Sequence, residues 1–387
     1  MRILVCPLDW GLGHAGRCVP LIRALLAAGH TVRLAAAGGA LRLLRSAFPE
    51  LAWHELPGYR VRYSRSAILL LPSLLVQAPA YLHGLRSEAR RLQNLLAKHP
   101  CDLVISDGRY GLRASGVPSI LVTHQIAMRA PAWPGKGWAE WALLWLNLKA
   151  IARFDRVWIP DWPGGLSLAG ALAGPQELGG NREWIGPLGR FTPPGSGSQS
   201  VGSQSACPHI DVAAVISGPE PQRTLFEAEL RAALAGIGGT RILVRGQPGK
   251  PGPGLADLRK GELNVFDHLP GDELARVFAG AETVIARSGY TTVMELAVLG
   301  TAAAVLVPTP GQTEQEYLVE HLSALGAAVR QTQGRLDLAG AIARARQMPG
   351  FRRWREDDPT LRLNRFVSTH PLLSGKAPAT VGKRAEQ

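Results

Sequence analysis

Two short stretches of this chain combine residue types suited to proton transfer and to binding an anion. The first is Asp9-Trp10-Gly11-Leu12-Gly13-His14-Ala15-Gly16, which follows an apolar run and precedes a helical pattern. Its glycines let backbone N–H groups approach a ligand closely. An imidazole on such a loop stands at the carboxyl edge of a parallel sheet, where it can take a proton from an acceptor hydroxyl; a purely structural loop histidine is the competing reading. Asp107 closes the run Asp-Leu-Val-Ile-Ser-Asp. In the common doubly wound order the fourth strand lies beside the first, which brings Asp107 to the same edge as His14, where it can orient and charge-stabilise the ring. The loop departs from the dinucleotide fingerprint, since His14 stands where a small residue is needed and no ribose-binding acid ends the second strand. That argues against a dehydrogenase.

The second stretch, Ala286-Arg287-Ser288-Gly289-Tyr290-Thr291-Thr292-Val293-Met294-Glu295, reads as a strand end, a small-residue turn and a helix start. Hydroxyls and unpaired amides concentrate there, and the positive end of the helix dipole faces the same point, so Ser288, Gly289, Thr291 and Thr292 form a diphosphate site by geometry. Glu295 lies one turn beyond Thr291 on the same face, where its carboxylate can accept two hydrogen bonds from ribose hydroxyls. A capped helix with a solvated Glu is the alternative. Ser217-Gly218 ends another apolar run, with Gly218 permitting close backbone approach. The loop Val307–Gln315 ends a third, so three strand ends converge on one crevice.

These residues need a scaffold of parallel strands and crossover helices, and the chain supplies two. Strands are expected at Arg2–Cys6, Thr31–Ala37, Leu51–Leu56, Asp102–Ser106 and Ser119–Thr123, with a helical stripe through Leu21, Ile22, Leu25 and Leu26. Thr192–Ser205 is rich in Ser, Gly and Gln and carries one large apolar residue, too little to offset its ordering entropy. The alternation then restarts, with strands at Ile210–Ile216, Arg241–Arg245, Asn264–Phe266, Thr283–Ala286 and Ala303–Val307, and helices around Gln222–Leu234 and Thr291–Leu299. The expected organisation is an α/β chain with a Rossmann-like domain over 1–191, a linker over 192–207, a second Rossmann-like domain over 208–370 and a flexible tail over 371–387. At 387 residues, 46% of them apolar, two cores are affordable.

Composition narrows the partners. The net charge of +13 favours nucleic acid, an anionic membrane or phosphorylated substrates. The arginines are scattered without the aromatic interleaving of single-strand binders, so no nucleic acid is expected. Four cysteines without a CxxC pair give neither a disulfide framework nor a zinc knot, which suits a reducing cytoplasm. Met1–Cys6 reads as a first strand and not as a signal peptide. The longest apolar run, Ala67–Val76, holds Pro72 and is too short to span a bilayer.

In order and spacing these motifs resemble the MurG-like glycosyltransferases, which carry two Rossmann-like domains facing across a cleft, the GT-B fold, and are classed with glycosyltransferase family 28. The resemblance spans roughly residues 1–335. It is strongest in ARSGYTTVMELAVLGTAAAVLVPTPGQTEQEYLVEHLSALGAA, while the GLGH loop matches more loosely. It implies that the domain over 1–191 binds the acceptor and that over 208–370 the nucleotide sugar, with Ser288, Gly289, Thr291 and Thr292 holding the diphosphate, Glu295 the ribose and Gln315 the transferred sugar. It also implies that Ser217 and Gly218 form the phosphate turn opening the second domain, and that Phe266 offers its backbone to uracil. His14 matches the acceptor-side His, and Asp107 the base-orienting partner of related small-molecule glycosyltransferases. Two departures bear on the sugar: the GGSQG-like turn is SGPEPQR here, and the second Gln of the sugar loop is Glu316.

The expected reaction is transfer of a hexosyl group, N-acetylglucosamine by the resemblance, from a UDP-linked donor to an acceptor that the sequence does not name. A lipid-linked one would suit the resemblance, but the marks PLDWGLGH, SDGRYG, VTHQ and SGPEPQRT set this chain in a branch to which the family's own acceptor does not carry over. The transfer proceeds by direct displacement, with His14 as base. No metal or other cofactor is expected, because no DxD-like pair is placed against the diphosphate and a helix N-terminus can stabilise it instead. Two rivals stand beside this reading, a nucleotide-sugar epimerase on the same fold and a non-catalytic donor-binding or membrane-recruiting subunit. Ser66–Leu82 with Trp133, Trp138, Trp141 and Trp145 suggests peripheral contact with the inner face of the cell membrane; burial of both segments is the alternative.

Overall fold

Runs such as Ile3–Cys6 and Leu103–Ile105 are apolar at every position, the pattern of strands covered on both faces. The computed structural model, which describes residues 1–58, 70–130, 134–175, 180–191, 208–247, 254–355 and 359–374, forms two wholly parallel sheets from such runs. The first contains β1 (Arg2–Pro7), β2 (Thr31–Ala36), β3 (Trp53–Glu55), β4 (Leu103–Asp107), β5 (Ser119–Val122), β6 (Arg156–Ile159) and β7 (Arg182–Trp184), in the order β3-β2-β1-β4-β5-β6-β7. The second contains β8 (Ile210–Val215), β9 (Arg241–Val244), β10 (Leu263–Phe266), β11 (Ala281–Ala286), β12 (Ala304–Leu306) and β13 (Val329–Arg330), in the order β10-β9-β8-β11-β12-β13. In each sheet the order reverses beside the first strand, the position where doubly wound folds open a ligand crevice.

Helix α1 (Leu12–Ala27) follows β1 and buries Leu21, Ile22 and Leu25. Helix α2 (Gly38–Ala47) packs on α1 and β2, α3 (Leu70–Lys98) leads into β4, and α4 (Lys136–Ile151) leads into β6. In the second domain α5 (Gln222–Ala235) and α6 (Gly271–Gly280) precede α7 (Tyr290–Leu299), which starts directly after β11 and stops where Gly300 adopts φ 64°. Helices α8 (Thr313–Ala324) and α9 (Leu338–Arg346) complete that domain, and α10 (Pro359–Thr369) follows.

Several expectations need correction. β6, β7 and β13 do not stand out in the sequence, because they are two to four residues long and mix Arg, Glu and Trp with few aliphatics. The apolar run after residue 70 belongs to the 29-residue helix α3; residues 66–69 lie outside the described residues. Helix α10, expected in the second domain, packs on α1 of the first, with Phe366 edge-on to Trp158 at 5.2 Å and His370 Nε2 2.8 Å from Glu183. Of the residues expected in the tail, 371–374 are described and Leu373 among them is buried in the core, while 375–387 lie outside the described residues. So do the linker residues 192–207.

Candidate functional site

The site lies where the two sheets' carboxyl edges face each other. Register puts Pro7 of β1 beside Asp107 of β4, so the loops after these strands start side by side. Gly108 continues from Asp107 with φ 70°, and a Cβ there would come within 3.0 Å of His14 Cε1, so only glycine lets the backbone close on the ring. His14 Nδ1 then lies 3.2 Å from Asp107 Oδ1.

The sequence did not single out Arg17, one turn after His14 on α1. Its guanidinium grips the fully buried Asp107 through both oxygens, Nε donating to Oδ2 at 2.7 Å and Nη2 donating to Oδ1. Nη2 also lies 3.0 Å from His14 Nδ1, and Nη1 lies 3.3 Å from Nδ1 of His124. Arginine only donates, so Arg17 and Asp107 select opposite tautomers of His14. The one with its proton on Nδ1, given to Asp107, leaves the Nε2 lone pair to act as a base. Burial pushes the Asp107 carboxyl upward, but the charges of Arg17 and His14 and their hydrogen bonds outweigh it and hold the group below the usual range.

A second bridge crosses between the domains. His124 Nε2 lies 3.0 Å from Glu314 Oε1, and Gln125 Nε2 donates to Glu314 Oε2. Since His124 Nδ1 faces a donor, its proton sits on Nε2 and is given to Glu314. Burial lowers the His124 pKa despite the opposing hydrogen bond and charge of Glu314. Burial raises that of Glu314, but the hydrogen bond and charge of His124 outweigh it and the result is lowered. The His124 ring stacks on Tyr290 at 3.8 Å, and Tyr290 donates through its hydroxyl to Pro160 O at 2.9 Å. His124, Gln125 and Glu314 were missed as site residues; the signals available were the polar pair directly after an apolar strand and the acid directly before Gln315.

On the donor side, α7 has Gly289 as N-cap and no side-chain cap, which leaves first-turn amides for an anion. Ser288, Gly289, Thr291 and Thr292 cluster there. Thr291 Oγ1 donates to Gly13 O at 3.2 Å, so the starts of α1 and α7 meet. Ser288 Oγ donates to Gln315 O at 2.8 Å, and Gln315 Oε1 accepts from Thr309 N at 2.8 Å, so the sugar loop is tied to the diphosphate turn. Gly218, at φ 107°, approaches Thr309 within 3.7 Å of a would-be Cβ, and Ser217 beside it is exposed. These residues converge.

Two do not fit as simply. Glu295 is buried and not open to ribose, because Arg190 Nε reaches it at 2.5 Å. Phe266 ends the outer strand β10, two strands from β8, and its carbonyl already accepts from Arg245 N at 2.8 Å. Among the described residues, the His, Asp and Glu side chains close enough to share a cation are His209, Asp211 and Glu282, at the opposite edge of the second sheet.

Comparisons with known proteins bear on the fold and the class of enzyme. Residues 264–352 match the glycosyltransferase family 28 C-terminal domain. The chain is 27% identical over 331 residues to an uncharacterized glycosyltransferase of Methanosarcina acetivorans, covering 82% of this chain and 80% of the relative. It is 33% identical over 174 residues to the UDP-N-acetylglucosamine–N-acetylmuramyl-(pentapeptide) pyrophosphoryl-undecaprenol N-acetylglucosamine transferase of Halorhodospira halophila, covering 42% of this chain and 46% of that one. Among solved structures it resembles the glycotransferase of kitacinnamycin, with TM-score 0.61 and 18% identity over 95% of this chain and 98% of the other. It also resembles MurG of Acinetobacter baumannii, with TM-score 0.54 and 15% identity over 94% and 98%. The fold is GT-B, and the chain is a glycosyltransferase similar to the MurG enzymes.

Proposed function

We propose that this MurG-like glycosyltransferase moves a hexosyl group, N-acetylglucosamine being the expected one, from a UDP-linked donor to an acceptor presented at a membrane surface, without a metal. The observation that carries the reading is the meeting of two helix starts: Thr291 on α7 holds the carbonyl of Gly13, and the next residue is His14. The group suited to act as base therefore sits against the helix suited to hold the leaving diphosphate. In the proposed step His14 Nε2 takes the acceptor's hydroxyl proton while that oxygen bonds the anomeric carbon. The bond from that carbon to the diphosphate oxygen breaks, and the nucleoside diphosphate departs with the electron pair. Amides at the start of α7, together with the Ser217-Gly218 turn, meet the charge that develops there.

The acceptor side supports contact with a membrane. Helix α4 exposes Trp138, Trp141 and Trp145 at 80%, 61% and 46% of their surfaces, and Lys149 Nζ lies 3.5 Å over the Trp145 ring. Trp at the headgroup level beside Lys is what an anionic surface recruits. Trp133 lies outside the described residues, and no described helix is long and apolar enough to cross a membrane.

The test is release of nucleoside diphosphate from UDP-, GDP- and dTDP-sugars, with and without a lipid extract. Release that depends on the extract and yields glycosylated lipid is the expected result. Interconversion of sugars without an acceptor identifies an epimerase, and binding without turnover identifies a donor-binding subunit; either result rejects the transferase reading.

A further inference from the structure

Among the described residues three arginines have 3% or less of their surface exposed, and their company differs. Arg17, at 3%, is paired with Asp107 through two hydrogen bonds, and Arg109, at 0%, reaches Glu88 at 2.8 Å. Arg287, at 1%, has no carboxylate within ion-pair distance among the described residues. Its Nη1 donates to Val307 O at 3.3 Å and to Pro308 O at 3.1 Å. Its Nη2 donates to Gln222 O at 3.2 Å and to Gln333 Oε1 at 2.7 Å. Every one of these acceptors is neutral, and among the described residues Nε has no hydrogen-bond partner. One face of the guanidinium lies 3.8 Å over the Phe226 ring. Glu229, on α5, acts on it only at longer range, its Oε1 accepting instead from Gly334 N at 2.8 Å. Burial draws the Arg287 pKa down to about 10, which leaves the group fully charged at neutral pH.

A buried cation without a counter-ion is costly, and chains tolerate one where an anion arrives to offset it. Position says which anion. Arg287 immediately precedes the Ser288-Gly289 turn into α7, and its carbonyl partners belong to the loop that leaves β12 and to Gln222 at the start of α5. These are the elements whose turns, Ser288-Gly289, Ser217-Gly218 and the loop after Val307, converge on the crevice.

We propose that Arg287 is a positioning residue for the donor, a fixed positive charge beneath the crevice whose counter-ion is the diphosphate of the nucleotide sugar. It rests on the donor reading above. Its carbonyl bonds hold the three turns in place while its charge, poorly screened because it is buried, raises affinity for a doubly phosphorylated ligand over an uncharged one.

Two substitutions separate charge from structure. Arg287→Gln keeps donors for the carbonyls and removes the charge, whereas Gln333→Glu leaves Arg287 in place and gives it an internal counter-ion. Calorimetry uses UDP, uridine and inorganic pyrophosphate as probes, with Arg287→Lys as the conservative variant. Both neutralising substitutions should weaken UDP and pyrophosphate by about tenfold or more, the scale of one poorly screened charge contact, and leave uridine unchanged. Arg287→Lys should stay nearest the parent. Should Arg287→Gln fail to fold, Gln333→Glu alone carries the test. Parent-like pyrophosphate binding in a folded neutralising variant overturns the proposal, as does equal loss of uridine and UDP. A parent that binds pyrophosphate but no nucleoside diphosphate rejects the donor reading and leaves Arg287 to be judged on pyrophosphate. A parent that binds neither rejects both.

Discussion

Arg190 Nε stands 2.5 Å from Glu295 Oε1, so the carboxylate suited to hold ribose is already held by the segment that leads out of the first domain. Burial alone would lower the Arg190 pKa, but the charge of Glu295 and its hydrogen bond raise it. A ribose that bonds Glu295 must share this carboxylate or displace the guanidinium. Glu295→Gln is therefore expected to weaken UDP binding by about 1.5–3 kcal/mol, the range for a hydrogen bond to a charged group, measured by calorimetry on folded protein. Arg190→Ala leaves Glu295 buried and unpaired, which costs on the order of 3–5 kcal/mol of stability. If ribose takes that carboxylate, saturating UDP will raise the melting temperature of Arg190→Ala by more than it raises the parent's. Equal increments would place the ribose elsewhere.

For the proposed base, His14→Ala should abolish turnover and leave UDP affinity near the parent value, because the ring serves the acceptor. Near-parent turnover at neutral pH would remove His14 from the mechanism. Asp107→Asn is a different kind of change. It deprives the buried Arg17 of its partner, so a stability loss on the order of 3–5 kcal/mol accompanies any loss of rate. Rates must be compared at a temperature where circular dichroism shows both proteins folded, and there Asp107→Asn should fall between the parent and His14→Ala.

How much of this was legible beforehand depended on whether a contact was local. The pairing of β1 with β4, and with it the approach of His14 to Asp107, follows from the order of a doubly wound sheet. The clustering of Ser288, Gly289, Thr291 and Thr292 follows from a strand running into a helix. Arg17 was readable in principle, since it lies one turn from His14 on the same helix. Arg190 on Glu295 and His124 on Glu314 were not readable. They join residues 105 and 190 positions apart, and no local pattern encodes how two domains dock. The return of α10 to the first domain is hidden for the same reason.

The His124–Glu314 bridge makes the docking of the domains sensitive to acid. Burial holds the folded pKa of His124 below its usual 6.5, so the unfolded chain binds the proton more readily. Stability from neutral His124 is thus fully present above pH about 6.5 and declines as pH falls below it. Glu314, also lowered, adds a contribution that is present above its usual 4.5 and lost at lower pH. The expected result is a melting temperature that falls between pH 7 and 5 in the parent and falls less in His124→Gln. Parallel curves for the two proteins would mean that His124 does not titrate in this window.

The exposed tryptophans of α4 supply the last prediction. Trp138, Trp141 and Trp145 recur at helical spacing on a face that the core does not cover, while Ala139, Asn147 and Ile151 on the same helix are buried. Burial in a core, the alternative that the same spacing allows, is therefore ruled out for these three. Each indole gains by entering the headgroup region, and Lys149 on the same helix adds attraction to anionic lipid of about 1 kcal/mol, while Lys136 is paired with Glu140 at 3.8 Å. The protein should co-sediment with vesicles containing phosphatidylserine at low salt and less at high salt, because the electrostatic part is screened while the apolar part is not. Replacing all three tryptophans by serine should abolish sedimentation at high salt, weaken it at low salt to the electrostatic part alone, and leave the melting temperature within a few degrees, since surface positions contribute little to folding. Turnover on a soluble acceptor should survive, whereas turnover on a vesicle-borne acceptor should fall with binding. A parent protein that is folded and active but stays in the supernatant at low salt would mean that the three indoles face something other than lipid.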